Sequence, residues 1–215
     1  MYRIPVRTHI ITEKDNIVSV VKKYIENIAE PGDIVAIAES VVAITQGRAY
    51  LPKDVKVGLL ARFLCKFPQR HGSLTSPQSM QLAINETGHF RILLAAGIGA
   101  IGKLFGIKGW FFKIAGRQVA LIDDVAGTMP PYHRHIVLGP KDPDKVCNAI
   151  KKATGIDAII VDANDIGCAN IVGHSSGISM DIKKQLTNIF KENPAGNGDQ
   201  QTPIVLLKRC KAKDM

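Results

Sequence analysis

Apolar residues recur along this chain at two spacings, and the switches between them mark its elements. Residues 3–11 alternate loosely and are rich in β-branched side chains, with Pro5 early, which is the pattern of an edge or first strand. Ile17, Val20, Val21, Tyr24, Ile25 and Ile28 then form one helical stripe. Thr12 is its candidate N-cap, with Asp15 in the capping-box position, and the turn Pro31-Gly32 follows it. A second strand is expected over 33–38. Glu39-Ser40 sits at its end, and the residues through Thr45-Gln46-Gly47-Arg48 suit either a polar site at a strand end or hairpin chemistry. Residues 51–67 read as a turn and a short helix turning Leu59, Leu60, Phe63 and Leu64 inward, 71–77 as a loop and 77–86 as a helix. Segments 110–114 and 118–122 look like strands of a hairpin about Gly116-Arg117, and 128–135 like a loop stiffened by Pro130-Pro131. Near the C-terminus, 181–190 is an amphipathic helix ended by Asn193-Pro194, and 204–207 is a strand.

Between these lies the stretch 141–173, around which the rest is organised. Asp142-Pro143 reads as a helix start, Val146, Ala149, Ile150 and Ala153 as one helical face, and Thr154-Gly155 as its stop. A buried strand over 156–161 then delivers Asp162, Asn164 and Asp165, followed by Gly167 and Gly173. Two carboxylates and an amide at the end of a rigid strand can hold a hard cation such as Mg²⁺ against a phosphate. The same residues also make an Asx-type turn. The other acidic pair, Asp123-Asp124, ends the expected hairpin; neighbours in a strand point to opposite faces, so only one of them would reach a site shared with Asp162, and a solvent-facing turn is the plain alternative.

Other motifs carry less. Residues 97–102 match GxGxxG, but a hairpin stands where a dinucleotide fold needs a helix and a second strand, so the glycines read as close packing of a buried helix. His71 and His89 have no partner at ligand spacing, and the alternating His133 and His135 suit a surface loop as well as a metal. The polar loop 195–203 contains two glycines and could set backbone N–H groups on phosphate oxygens, although it lacks the GK[ST] end of a Walker motif.

Composition narrows the class. The chain has 215 residues, 46% hydrophobic and 22% charged, enough for one substantial core or two small ones. A net charge of +9 favours anionic partners, whether nucleotides, phosphorylated metabolites, nucleic acid or an acidic membrane surface. Aromatic residues make up 6% with no stacking platform, which argues against nucleic acid. Cys65, Cys147, Cys168 and Cys210 form no CxxC pair, and no secretory signal opens the sequence, so a reducing cytoplasm is expected. The most apolar run, 92–102, is too short to cross a bilayer, and no membrane partner is expected.

Read in order, these pieces resemble the gamma-glutamyl ligases of the deazaflavin coenzyme F-420. The resemblance runs through Ile4-Pro5-Val6, Pro31-Gly32-Asp33-Ile34-Val35, Glu39-Ser40-Val41-Val42, Gln46-Gly47-Arg48 and Leu138-Gly139-Pro140-Lys141-Asp142-Pro143-Asp144. It continues in Ile159-Ile160-Val161-Asp162-Ala163-Asn164, the turn Asn170-Ile171-Val172-Gly173, and Thr202-Pro203-Ile204-Val205. It implies an α+β fold of antiparallel β-sheets and packed helices, one domain over 1–209 in two intertwined subdomains with a basic tail at 210–215, assembled as a homodimer. It also implies a GTP-dependent enzyme that uses Mg²⁺ or Mn²⁺ to join L-glutamate to a carboxylate acceptor through an amide bond. Asp162 would bind metal and act in catalysis with Asn164, and Asp123 or Asp124 would supply the second metal carboxylate. Arg7, Thr8, His9, Ile10, Glu39 and Ser40 match nucleotide-contacting segments, and Gly196, Asn197, Gly198, Gln200 and Gln201 the C-terminal nucleotide loop. Ile44 stands where the family has a lysine and Ala163 where it has a threonine, leaving Arg7 and Arg48 to supply positive charge. Those replacements motivate an alternative, a non-catalytic nucleotide- or metabolite-binding protein on the same fold.

Overall fold

A computed structural model describes residues 1–68, 73–107, 109–125, 130–163, 167–196 and 200–209. The chain divides into two compact units, 1–47 with 140–215, and 48–139. In chain order, β1 (Tyr2–Val6), α1 (Ile17–Ile25), β2 (Ile34–Ala38) and α2 (Glu39–Thr45) come first. The second unit follows with β3 (Ala49–Tyr50), α3 (Leu59–Leu64), α4 (Pro77–Thr87), α5 (His89–Leu104), α6 (Trp110–Ala115), α7 (Arg117–Ala120) and β4 (Ile136–Val137). The first unit resumes with α8 (Pro143–Thr154), β5 (Asp157–Ala163), β6 (Ala169–His174), α9 (Met180–Phe190) and β7 (Ile204–Lys208). His71, Asn164, Asp165, Asn197, Gly198 and the tail from Cys210 lie outside the described residues.

The first unit is built on a five-stranded sheet in the order β1-β7-β2-β5-β6. Its class is α+β, as the sequence led us to expect. The sheet is mixed, because β2 runs parallel to β5 while the other pairs are antiparallel. Ile34, Val35, Ala36 and Ile37 are all buried, as a central strand covered on both faces requires. On one face Ile34, Ala36, Ile159, Val161, Val205 and Leu207 share a core with Leu186 and Phe190 of α9. Cys147 and Ile150 of α8 are buried, and burial first, with Asp144 adding to it, pushes the Cys147 thiol up to about 12.

Local chemistry explains the helix ends, sometimes against expectation. The cap of α1 is Asn16, whose side chain accepts from the Ser19 N–H at 3.1 Å. Thr12 instead closes a turn ahead of it, its N–H and hydroxyl donating to the Asp15 carboxylate at 2.8 and 3.0 Å. Pro143 does open α8, but Asp142 caps nothing: its backbone is left-handed and its carboxylate pairs with Lys145 at 2.9 Å. Asp144 accepts from the His174 N–H at 2.8 Å, which ties α8 to β6. The segment 170–173, read as a turn, belongs to β6. There a Cβ on Gly173 would fall 2.6 Å from Cβ of Pro143 and 2.7 Å from its carbonyl carbon. Gly173→Ala is therefore expected to cost about 1–3 kcal/mol through overpacking, seen as a lower urea midpoint by circular dichroism; an unchanged midpoint would rule out that close approach.

In the second unit, Ala61, Leu64, Met80, Ile84, Ile92 and Val119 belong to one core. Here the sequence reading needs correction. The two expected strands about Gly116 are the helices α6 and α7, and the residues after Ala38 form α2 rather than a hairpin. Positive φ at Gly109 and Gly116 breaks the chain on either side of α6. Phe111 and Ile114 pack against the core, three residues apart as a helix requires. The glycines of α5 do serve close packing: a Cβ on Gly99 would lie 3.0 Å from that of Phe111, and one on Gly102 3.1 Å from the Trp110 ring. Yet α5 is not a buried helix, and Leu59 and Phe63 of α3 point outward while Ala61 and Leu64 point in.

Candidate functional site

Strand direction decides which residues of the first unit meet. β1, β2 and β5 end at the edge of the sheet where β6 and β7 begin, because the register sets Val6 beside Ile204, Ile37 beside Ile204, Ala38 beside Val161 and Ala163 beside Ala169. Beyond the strands the pairing continues: the Thr8 N–H donates to the Gln201 carbonyl at 2.9 Å and the Ala38 N–H to that of Pro203 at 2.8 Å. The segment after β1, the start of α2, the end of β5 and the loop before β7 are thus brought to one edge. In sheets with parallel neighbours, ligands bind outside the carboxyl ends of the strands.

Asp162 is the penultimate residue of β5, opposite Asn170. Alternation puts it on the face away from Val161 and Ala163, which pack toward α9. A register shift in the β5–β6 pairing falls just before it, between Ile160 and Val161, a feature that often re-aims side chains beside sites. Its carboxyl is pushed above the usual range by burial alone, with no hydrogen bond or cation offsetting the cost among the described residues. A carboxylate held in that condition gains from a cation and fits a metal ligand. Among the described residues, however, no group of three or more His, Cys, Asp or Glu side chains gathers around one point.

The other expected residues of this edge are placed as follows. Arg7 is exposed and has no ion-pair partner among the described residues. Thr8 is buried, its hydroxyl donating to the His9 carbonyl at 2.8 Å. The His9 ring is held on both nitrogens, with Tyr24 Oη 2.9 Å from Nδ1 and Asp15 Oδ1 3.1 Å from Nε2. The Thr12 N–H, helped by His9, keeps the Asp15 carboxyl below the usual range. Ile10 is exposed, Glu39 is buried at the first position of α2, and Ser40 is half-buried beside it. Gly196 has φ +70 and the Gln200 side chain fills the space a Cβ would need; the Thr202 hydroxyl closes this loop on the Ala195 carbonyl at 2.7 Å.

Three expected contributors lie in the second unit. Arg48 is no phosphate-binding cation: it is buried, with Nε donating to the Gly139 carbonyl at 2.6 Å and both Nη atoms donating to the Glu86 carboxylate at 3.2 and 2.8 Å. A guanidinium so enclosed is structural. Asp124 accepts from the Ser76 hydroxyl at 3.2 Å and the Val125 N–H at 2.9 Å, next to the cap of α4. Asp123 is exposed and its backbone bridges Val137 at 2.9 and 3.1 Å. His133 is exposed, and His135 sits against the Tyr132 ring.

Sequence reasoning missed the residues that hold the edge in place. Tyr24 read as one more member of an apolar stripe, although a hydroxyl among aliphatic neighbours signals a polar contact. Gln46 accepts from the Lys141 N–H at 2.7 Å and donates to its carbonyl at 3.0 Å, which pins the end of α2 to the run into α8.

A comparison with curated proteins gives no match. The family model of the F420-0:gamma-glutamyl ligases matches residues 5–164, about three quarters of the chain. The match spans the ends of β1, β2 and β5 and the whole second unit, and stops before the loop at 196–201. The chain therefore belongs to the F420-0:gamma-glutamyl ligase family, a family of ligases.

Proposed function

We propose that the protein is a GTP- and divalent-metal-dependent ligase that joins L-glutamate to a carboxylate acceptor through an amide bond, acting in the cytoplasm as a homodimer. The observation that carries the reading is the meeting of Asp162 with the segment after β1, the start of α2 and the loop before β7 at one sheet edge. The γ-phosphoryl group of GTP passes to an acceptor carboxylate oxygen, giving an acyl phosphate and GDP. The amino nitrogen of glutamate then attacks the acyl carbon, phosphate departs, and the nitrogen loses a proton. Asp162 would hold Mg²⁺ or Mn²⁺, and the metal would neutralise phosphate charge when bound. Arg7 supplies a positive charge to the triphosphate in place of Arg48. Thr8, His9, Ile10, Glu39 and Ser40 form the nucleotide wall. Backbone N–H groups around Gly196, Gln200 and Gln201 meet phosphate oxygens, and Asn164 orients the acceptor or a water.

Incubation of the pure protein with GTP, Mg²⁺, L-glutamate and F420-0 tests this. Release of GDP and phosphate in step with an amide product is expected. Bound nucleotide without turnover would instead favour the non-catalytic alternative, which the buried Ile44 and half-buried Ala163 motivate.

A further inference from the structure

Outside the ligand edge, the second unit presents an apolar surface that its own core leaves uncovered. Helix α5 carries two apolar stripes. Ile92, Ala95 and Gly102 turn inward and are buried, whereas Phe90, Leu94, Ile101 and Leu104 recur at spacings of four, seven and three residues on the outside and are exposed. Phe90 is 81% exposed, Leu104 85%, and Phe105, next in the chain, 75%. Isolated surface leucines need no explanation, but a stripe of large apolar side chains running along the outside of one helix marks a surface that is covered in use.

Charge selects the occupant. Residues 48–139 hold twelve of the chain's 28 Lys and Arg but only four of its 19 Asp and Glu, so this unit carries a formal +8 of the total +9. Arg91 and Lys103 on α5 and Lys113 on α6, which packs against it, are exposed. Two copies meeting through such a face would bring like charges together, whereas an anionic bilayer satisfies both the cations and the apolar side chains. We propose that this face of the second unit docks on a membrane surface rich in anionic phospholipid. With 16 residues, α5 is roughly 24 Å long, short of the ~30 Å hydrocarbon layer, and its inner stripe is occupied by the core. The helix therefore lies along the surface with Phe90, Leu104 and Phe105 entering the interface. No spanning segment is needed, which is what the sequence-based expectation of no membrane partner had turned on, and the ligase reading can fail without affecting this one.

Flotation of the full chain with lipid vesicles tests the proposal. Vesicles containing about one third phosphatidylglycerol should carry the protein, pure phosphatidylcholine vesicles should not, and added salt should weaken the binding. The double variant Phe90→Gln/Leu104→Gln should bind at least tenfold less, with unchanged circular dichroism and melting temperature because both side chains are exposed. The proposal is overturned if anionic vesicles fail to carry the protein, if neutral vesicles carry it equally, or if the folded double variant binds as well as the parent. It is overturned equally if sedimentation shows a dimer that the double variant dissociates and vesicles bind neither form, since the face would then belong to a second copy.

Discussion

Asp162→Asn is expected to abolish metal-dependent nucleotide binding while leaving the protein more stable at neutral pH than its parent. The two effects have one cause. Burial raises the Asp162 carboxyl above its unfolded value, so the folded state holds that proton more tightly than the unfolded chain does. Stability linked to this group is fully present below the unfolded pKa and is lost as pH rises through the folded one. At neutral pH the ionised side chain opposes folding, and a neutral isostere relieves it; the gain should vanish in acid, where the parent is protonated too. A bound cation relieves the same cost. At a hundredfold excess over Kd, metal and GTP together should stabilise the parent by about 2.7 kcal/mol. For a chain of this length that is roughly 5–10 °C in Tm. The variant should show no such shift. A variant that keeps the full ligand-induced shift would remove Asp162 from the site.

Arg48→Ala should destabilise the second unit without acting on the nucleotide directly. The Arg48 and Glu86 side chains are 4% and 17% exposed, and the pair is bidentate, with Gln118 and the Gly139 carbonyl completing the guanidinium's partners. Deleting one member of a buried pair leaves an uncompensated charge and costs about 3–5 kcal/mol, on the order of 10 °C in Tm for a chain of this size. Lysine cannot restore the fork, so Arg48→Lys should recover only part of the loss. Calorimetry checks this. If Arg48→Ala melts with its parent but loses nucleotide affinity, the residue belongs with Arg7 as a phosphate-binding cation after all.

The contrast between these two residues shows what could be read in advance. Asp162 follows a short apolar run rich in β-branched residues between Gly155 and a polar turn, the pattern of a buried strand, so its position at a strand end was legible. Arg48 carries the same charge as Arg7, and nothing local reveals that Glu86 and the Gly139 carbonyl enclose it. Elements set by periodicity, such as α1, α4, α8, α9, β2 and β7, were legible for the same reason as the strand before Asp162. Residues 110–122 were not: aromatic and β-branched side chains favour strands only where the surroundings offer a pleated surface, and here Gly99 and Gly102 offer a close helix contact. On α3, Leu59 and Phe63 were assigned inward because apolar residues usually are, and a rule that equates hydrophobic with buried cannot show which of them stay exposed. The meeting of four distant segments at one edge rests on the strand order β1-β7-β2-β5, which no local pattern reports.

A crystal grown with a non-hydrolysable GTP analogue and Mn²⁺ addresses the ligand edge most directly. The expected result is an anomalous Mn²⁺ peak about 2 Å from an Asp162 carboxylate oxygen, with the triphosphate lying between the segment after β1 and the loop before β7. Ordered nucleotide and metal elsewhere on the protein, with the Asp162 carboxylate bound only to its own neighbours, would contradict it.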